Sequence, residues 1–222
     1  MEASLRSELE EHLSGWGARL DASQWDLLGA YLADLLEYNR KVNLTAASDP
    51  AEVVRRHFAD GLAALSPLRA RLGPAPHLAD VGSGGGFVGL CLKIAWPEAA
   101  VTLIESAYRK YCFLNWEATR LALRGLRVHH GRAERLARGG FDAVLARALA
   151  PLPEAVALTW PLASPSGLAV IYQSSAPDPV EPALLKALEK AGARVAAVEP
   201  YRLPGEREER NLVIISRRHD RA

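Results

Sequence analysis

The sequence contains too few cysteines for a disulfide framework or a cysteine-rich zinc site. Its 222 residues include two, Cys91 and Cys112, which are far apart and lie in apolar surroundings. We expect both to be buried thiols without a chemical role. The six histidines show no spacing typical of metal ligands, so we expect no bound metal.

The sequence also lacks a long hydrophobic run. No apolar run reaches the roughly 18 residues that a membrane-spanning helix requires. The acidic, amphipathic residues 1–13 have none of the layout of a secretory signal. We therefore expect a cytoplasmic, monomeric protein that does not contact a membrane. The composition, with 49% hydrophobic and 24% charged residues, is typical of a globular domain rather than of a disordered or fibrous chain.

Positive charge is concentrated in the middle of the chain, although the net charge is only +1. Residues 1–60 carry 6 basic and 11 acidic side chains, whereas residues 61–150 carry 12 and 6. Arginine, which suits bidentate phosphate contacts, supplies 22 of the 27 cations. Two interpretations remain open: the middle segment faces a polyanion, or its charges are ordinary solvated helix faces.

Residues 1–68 are predicted to form a helical extension. Apolar residues recur at helical spacing from Trp25 to Leu36, and either Asp21 or Ser23 can cap that helix. A second helix is predicted to begin at Asp49–Pro50, because proline is favoured in a first turn, and to end near Ser66–Pro67. Turn-rich residues then mark a boundary. We expect residues 69–222 to form the main domain, with both parts in one compact unit.

Strands and helices alternate after the boundary. Five short apolar runs predict strands that begin at His77, Ala100, Leu126, Phe141 and Gly167. Helical stretches are predicted near residues 89–96, 107–123, 132–138, 151–163 and 181–191. This alternation indicates an α/β fold with a parallel sheet covered on both faces. Residues 193–203 and 210–216 predict two further strands joined without a helix, so one of them must run antiparallel to its neighbours.

A glycine-rich loop follows the first predicted strand. Its pattern is acidic-x-G-x-G-x-G, with Asp80 followed by Gly82, Gly84 and Gly86. A dinucleotide fingerprint needs glycine where Phe87 stands, and a P-loop needs a lysine that is absent here. The observed pattern is typical of enzymes that bind S-adenosylmethionine, a bulky ligand without phosphate. The alternative is a glycine-rich turn that binds nothing.

Two carboxylates follow the next two strands. Glu105 ends the second strand, at the position where an acid reaches ribose hydroxyl groups, and a carboxylate can accept both hydrogen bonds of a diol. Glu134 follows the third strand and is placed for contact with an adenine. The alternatives are an exposed charge at a strand end for Glu105 and a solvated helix residue for Glu134.

Separated motifs of the chain resemble one family. They are YNRKVNLTA at residues 38–46, with DP at 49–50 and HFAD at 57–60, the glycine loop at 80–90, and FDAVLARA at 141–148. All are similar to segments of the bacterial 16S rRNA guanine-N7 methyltransferases, also called glucose-inhibited division protein B. The resemblance extends over about residues 20–216.

The resemblance implies a class I S-adenosylmethionine-dependent methyltransferase fold. This Rossmann-like fold has a seven-stranded, mostly parallel sheet with an antiparallel C-terminal hairpin, here with the N-terminal helical extension. The implied reaction is methylation of N7 of a guanine in the decoding-region loop of 16S rRNA, on the small ribosomal subunit or its assembly intermediate. Carried over by position, the cofactor contacts fall on Gly82, Gly84, Phe87, Glu105, Ser106, Ala107, Ala133, Glu134 and Arg147.

Arg147 is the predicted catalytic residue. Guanine N7 carries a lone pair and no proton, so the transfer needs alignment and desolvation rather than a general base. We hypothesise that Arg147 holds the cofactor or the guanine; a structural ion pair is the alternative. Two positions depart from the family pattern: Val88 replaces a proline, and Gln173 stands in place of a lysine, which removes a cation from the expected substrate side.

Other candidates for substrate contact are less specific. Asn43 and Thr45 either cap and brace a loop or touch the substrate or the cofactor loop. Candidate phosphate contacts are Arg55, Arg56, Arg109, Lys110, Arg132 and Arg135. Candidate stacking aromatics are Phe87, Tyr108 and Tyr172. Two other functions remain open: a methyltransferase acting on a protein or small molecule, and a non-catalytic cofactor-sensing binder in ribosome assembly.

Overall fold

The computed structural model describes residues 1–218, and two helices open the chain. They are α1 (Ala3–Gly15) and α2 (Ala22–Asn39). Of the two predicted caps for α2, Asp21 is the one used. Its carboxylate accepts a hydrogen bond from the Gln24 backbone nitrogen at 2.9 Å, and the Gln24 side chain accepts one from the Asp21 nitrogen at 2.8 Å.

The second predicted helix is interrupted. It begins as predicted, with α3 (Pro50–Glu52) capped by Asp49, continues through a π-helical segment (Val53–Phe58) and ends with α4 (Ala59–Leu62). The predicted end near Ser66–Pro67 is wrong, because a separate short helix, α5 (Leu65–Arg69), spans both residues. Pro67 is tolerated there because a backbone N–H in a first helical turn has no acceptor within the helix.

A sheet of seven strands forms the centre of residues 1–218, and the predicted fold is confirmed. The strands are β1 (His77–Val81), β2 (Ala100–Glu105), β3 (Leu126–His130), β4 (Phe141–Arg147), β5 (Ala163–Gln173), β6 (Ala193–Tyr201) and β7 (Arg210–Arg217). Their order is β3-β2-β1-β4-β5-β7-β6, and β7 runs antiparallel to both of its neighbours. The C-terminal hairpin is therefore β6–β7, as predicted.

The fifth strand starts earlier than predicted. Its apolar run predicts a start at Gly167, whereas β5 begins at Ala163, which pairs with Phe141 ahead of the regular Leu168–Ala143 register. The extra residues are mainly serine and proline, so they lack the apolar pattern of a strand.

Four helices of the described chain connect the strands. They are α6 (Gly89–Ala95), α7 (Tyr108–Arg120), α8 (Leu152–Thr159), which continues as a 3₁₀ turn (Trp160–Leu162), and α9 (Pro182–Ala191). The helix predicted near residues 132–138 is wrong in extent, because only a 3₁₀ turn (Ala133–Arg135) forms there. That segment has too few apolar residues to anchor a longer helix and runs into Gly139–Gly140.

The two faces of the sheet carry different cores. On one face, buried residues of α1, α2 and the π-helical segment form a single cluster with α6, α7 and the sheet. On the other face, α8 and α9 pack on the remaining side chains of the central strands. Residues 1–68 thus share a core with the sheet. Cys91 lies in that core as predicted, whereas Cys112 is only half-buried. No helix within residues 1–218 is both long and apolar enough to span a membrane.

Candidate functional site

The glycine loop between β1 and α6 adopts a conformation that favours glycine. The φ angles of Gly82, Gly84 and Gly86 are +72°, +59° and +90°. A Cβ atom on Gly86 would lie 2.4 Å from Leu90 Cδ1. A Cβ on Gly84 would have a single neighbour within 4 Å, the Gly82 carbonyl oxygen at 3.8 Å. The loop is therefore packed on one side and open at Gly84.

Asp80 is a buried acid beneath this loop. Its side chain is 2% exposed, and its Oδ2 accepts a hydrogen bond from the Gly89 nitrogen at 2.9 Å. Burial raises the pKa of Asp80 to about 6. Gly89 must lack a side chain, because a Cβ there would lie 2.2 Å from Leu103 Cδ2. Asp80 therefore fixes the start of α6 and places a negative charge under the loop at neutral pH.

Glu105 joins the end of β2 to the glycine loop. It is 6% exposed, so it is not the exposed strand-end charge that the sequence left open. Its Oε2 accepts a hydrogen bond from the Gly84 nitrogen at 2.8 Å, and its Oε1 accepts one from the Ala107 nitrogen at 2.7 Å. Each carboxylate oxygen keeps capacity for a further donor.

A cavity of about 270 Å³ opens above the loop at the carboxyl ends of β1 and β4. Of the predicted cofactor contacts, four line it: Gly82, Gly84, Phe87 and Arg147. The other predicted contacts lie at the ends of the neighbouring strands. Ser106 and Ala107 follow β2, Ala133 is buried in the turn after β3, and Glu134 beside it is exposed.

Arg147 lies at the centre of a buried polar cluster. Its Nη1 donates to Asp60 Oδ2 at 2.9 Å, and its guanidinium carbon lies 5.1 Å from the centre of the Phe87 ring. The other oxygen of Asp60 accepts a hydrogen bond from the Tyr201 hydroxyl at 2.6 Å. Arg147 is thus ion-paired, as the structural alternative requires, and also lines the cavity, as its predicted role requires.

His57 contacts both Arg147 and the glycine loop. Its ring stacks on Phe87 with a centroid distance of 4.3 Å. Burial and the charge of Arg147 lower the pKa of His57 to about 4, so the imidazole is neutral at pH 7. Arg147 Nη2 lies 3.5 Å from Nδ1, which can only accept from it, so we assign the ring proton to Nε2, which donates to Thr45 Oγ1 at 3.0 Å.

Asn39 braces the loop that carries Thr45. Its Nδ2 donates to the carbonyl oxygens of Thr45 at 3.0 Å and Ala47 at 3.2 Å, and its Oδ1 accepts from the nitrogens of Leu44 at 2.8 Å and Thr45 at 3.0 Å. Thr45 lines the cavity, whereas Asn43 is exposed and lies outside the lining. Asn39 and His57 were visible in the sequence only as members of the YNRKVNLTA and HFAD motifs.

The N-terminal helices contact the glycine loop directly. The Tyr31 hydroxyl of α2 donates to the Gly85 carbonyl oxygen at 2.6 Å, and its ring stacks on Phe58 at 4.8 Å. Gly61 of α4 touches the backbone of the loop so closely that a Cβ would lie 1.8 Å from the Phe87 carbonyl oxygen. Sequence patterns missed both residues, because these contacts join segments that are far apart in the chain.

The predicted phosphate contacts fall into two groups. Arg55 pairs with Glu8 at 2.8 Å, and Arg56 pairs with Glu206 at 3.1 Å. The others have no carboxylate partner within residues 1–218: Arg109, Lys110, Arg132 and Arg135. Lys110 also lines the cavity.

The predicted stacking aromatics differ in exposure. Phe87 and Tyr172 are both 5% exposed. Phe87 lines the cavity, whereas Tyr172 lies outside its lining and its hydroxyl donates to the Gly61 carbonyl oxygen at 3.0 Å. Tyr108 is 66% exposed and lies 5.5 Å from the ring of His130. Of the three aromatic residues, only Tyr108 is exposed.

Comparisons with known proteins agree on one family. The profile of the family described as rRNA small subunit methyltransferase G matches residues 24–203. The ribosomal RNA small subunit methyltransferase G of Geobacter sp. (strain M21) is 35% identical over 218 residues, which cover 96% of this chain and 98% of the relative. The protein of the same name from Sorangium cellulosum (strain So ce56) is 44% identical over 167 residues, which cover 73% and 70%.

Solved structures support the fold. A SAM dependent methyltransferase from Aquifex aeolicus superposes with a TM-score of 0.53 over 76% of this chain and 94% of that chain. At 17% identity, this similarity bears on the fold alone.

Proposed function

The chain belongs to the rRNA small subunit methyltransferase G family, and from that premise we propose that it methylates N7 of a guanine in the decoding-region loop of 16S rRNA, with S-adenosylmethionine as methyl donor. The observation that carries the proposal is the glycine-lined cavity, which Asp80 and Arg147 border at the carboxyl ends of β1 and β4. Ligands of open α/β sheets bind at this edge.

The cavity and the strand end beside it suit S-adenosylmethionine. Gly84 borders open space, the buried carboxylate of Asp80 complements a cationic ligand, and Glu105 can accept hydrogen bonds from a ribose diol. The Gly84 nitrogen already donates to Glu105, so it is not free to bind a phosphate. When bound, the cofactor supplies an electrophilic methyl group on a positively charged sulfur. We assign the adenine side to Ser106, Ala107, Ala133 and Glu134.

The protein's part in the reaction is to align the reactants and exclude water. Guanine N7 needs no deprotonation, and His57, the neutral imidazole beside the cavity, is fully engaged between Thr45 and Arg147. The ion pair of Arg147 with Asp60 and its packing on Phe87 fix the orientation of the guanidinium group. We assign Arg147 the role of holding the guanine or the cofactor in line for transfer.

The test of the activity is to map tritiated methyl groups. Purified protein is incubated with labelled S-adenosylmethionine and either deproteinised 16S rRNA or small ribosomal subunits, and the RNA is digested with nucleases. We expect label on one guanine, recovered as 7-methylguanine. Label on protein or on a small molecule supports the alternative methyltransferase function. Cofactor binding in calorimetry without any transfer supports the non-catalytic binder.

The test of Arg147 separates its catalytic role from its ion pair. Arg147→Lys keeps the charge but loses the planar contact, and we expect kcat/KM to fall about 10- to 100-fold, the loss of a charged hydrogen bond. Arg55→Lys, at an exposed ion pair, is the control and should retain wild-type activity. An Arg147→Ala enzyme with unchanged cofactor affinity and turnover contradicts the assignment.

Three further predictions concern the oligomeric state, the location in the cell and the independence of metal. Sedimentation analysis tests the monomeric state, cell fractionation tests the cytoplasmic location, and assays with chelators test the independence of metal. Among residues 1–218, no three His, Cys, Asp or Glu side chains are grouped to hold a metal ion.

A further inference from the structure

The edge strand β3 presents two different faces. Leu126 and Val128 pack against the core that contains α7, and His130 stacks on Tyr111 of α7 at a centroid distance of 4.9 Å. Because successive side chains of a strand point to opposite faces, Arg127 and His129 face away from α7.

Within residues 1–218, no helix covers the face that carries Arg127. The connection from β3 to β4 is only the 3₁₀ turn Ala133–Arg135, and α8 packs over β4 and β5 instead. Thr102 of β2 pairs in register with Arg127 and remains half-buried on the same face. A parallel sheet normally has helices on both faces, so this open patch is a departure that needs a reason.

The open patch is strongly cationic. Residues 124–138 contain five arginines and one acid, Glu134. We call Arg127, His129, Arg132 and Arg135 the β3 basic face. Its three arginines are exposed, and none has a carboxylate partner in the described chain. Arg55 and Arg56, by contrast, are neutralised by glutamates. Exposed arginines without carboxylate partners favour a polyanionic partner.

Protection of the sheet edge does not explain all of these charges. Charged residues on an edge strand discourage pairing with other chains, which accounts for Arg127. Arg132 and Arg135 lie after the end of β3, so they cannot prevent another chain from pairing with that strand. They flank Ala133 and Glu134, so the β3 basic face extends to the carboxyl edge of the sheet, where the cofactor cavity opens.

We propose that the β3 basic face binds backbone phosphates of the rRNA substrate and holds it while the target guanine enters the site. This inference rests on the proposed function. Guanidinium groups suit phosphate contacts, and such contacts position an RNA without reading its sequence. The face lies on the opposite edge of the sheet from β6, so the RNA is expected to cross the β2–β3 side of the molecule.

The test is the salt dependence of RNA binding by Arg127→Gln/Arg135→Gln. The control is Lys190→Gln/Arg194→Gln, which removes the same charge from exposed residues beside the opposite edge. Binding to deproteinised 16S rRNA is measured between about 50 and 200 mM salt. We expect the first variant to bind at least about tenfold more weakly at low salt, with a salt slope shallower by about one per lost contact. The control should match wild type.

Two further measurements distinguish a lost RNA contact from a misfolded variant. Both variants should bind S-adenosylmethionine with wild-type affinity, which shows that the site is folded, and Arg127→Lys/Arg135→Lys should restore much of the salt slope. A wild-type slope and affinity in the glutamine variant overturn the inference. So does a variant that binds bare rRNA normally but fails on intact subunits, because the face then contacts ribosomal protein. Wild-type protein that neither binds nor methylates rRNA overturns the proposed function itself.

Discussion

At the residue scale, Gly61 is a position where one methyl group should disturb the cofactor site. A Cβ there would lie 1.8 Å from the Phe87 carbonyl oxygen, which is backbone and cannot rotate away. We therefore expect Gly61→Ala to push α4 and the glycine loop apart. The affinity for S-adenosylmethionine, measured by calorimetry, should fall at least about tenfold, and the melting temperature should drop with it.

Gly15 provides the matched control for that substitution. It is also helical, at the end of α1, but no heavy atom lies within 4 Å of the Cβ that alanine would add. Gly15→Ala should leave cofactor affinity unchanged and stability within about 1 kcal/mol of wild type. Equal behaviour of the two variants would show that the loop tolerates the displacement.

Asp80 should make cofactor binding depend on pH. Burial raises the pKa of its carboxyl to about 6, so the group is charged at pH 7 and mostly neutral at pH 5. A cationic ligand binds the charged form better, and affinity for S-adenosylmethionine should therefore weaken as the pH falls from 7 to 5. In Asp80→Asn, which keeps an acceptor for the Gly89 nitrogen, titration calorimetry should show weaker and nearly pH-independent binding. A wild-type profile that is flat over this range contradicts the role.

At the element scale, α2 supports the glycine loop through one hydroxyl group. Tyr31→Phe keeps the ring that stacks on Phe58 and removes the hydrogen bond to the Gly85 carbonyl oxygen. We expect a loss of about 1 to 2 kcal/mol in unfolding free energy, because a buried carbonyl loses its partner. Amide hydrogen exchange in residues 82–88 should become faster. Tyr38→Phe is the control, since the Tyr38 ring packs on Phe113 and its hydroxyl makes no hydrogen bond within residues 1–218.

Sequence patterns predict elements best where the signal is local. The alternation of apolar runs located β1 to β4 at their first residues, and the glycine spacing located the loop and the start of α6. The π-helical segment was not predictable, because it depends on packing rather than on residue period, whereas the short turn after β3 follows from the few apolar residues and the glycine pair that end that segment. The contacts of Tyr31 and Gly61 with the loop were also hidden, because each joins residues that only the tertiary fold brings together.

At the scale of the whole molecule, the helical extension and the methyltransferase core meet at a buried acid. Glu117 of α7 is fully buried, and neither of its oxygens accepts a hydrogen bond from a donor group within residues 1–218. Nearby, Asp34 of α2 accepts a hydrogen bond from Arg120 of α7 at 2.8 Å. Burial and the charge of Asp34 raise the pKa of Glu117 to about 8. The junction therefore contains an acid that is neutral at pH 7.

Because Glu117 ionises at different pH values in the folded and unfolded states, we expect the free energy of unfolding to depend on pH. The pKa of Glu117 is about 8 in the folded protein and near the ordinary glutamate value of 4.5 in the unfolded chain, so the unfolded state releases its proton first. The stabilisation by protonated Glu117 is complete below pH 4.5 and is lost as the pH rises to 8. Glu117→Gln cannot ionise, and its unfolding free energy should match wild type near pH 4.5 and exceed it by ~5 kcal/mol above pH 8. Urea unfolding at several pH values measures the difference, with the exposed Glu11→Gln as a control that should follow wild type throughout.

A constant difference between Glu117→Gln and wild type across this range would mean that Glu117 stays ionised in the folded protein, so that the junction holds a charge and not a neutral acid.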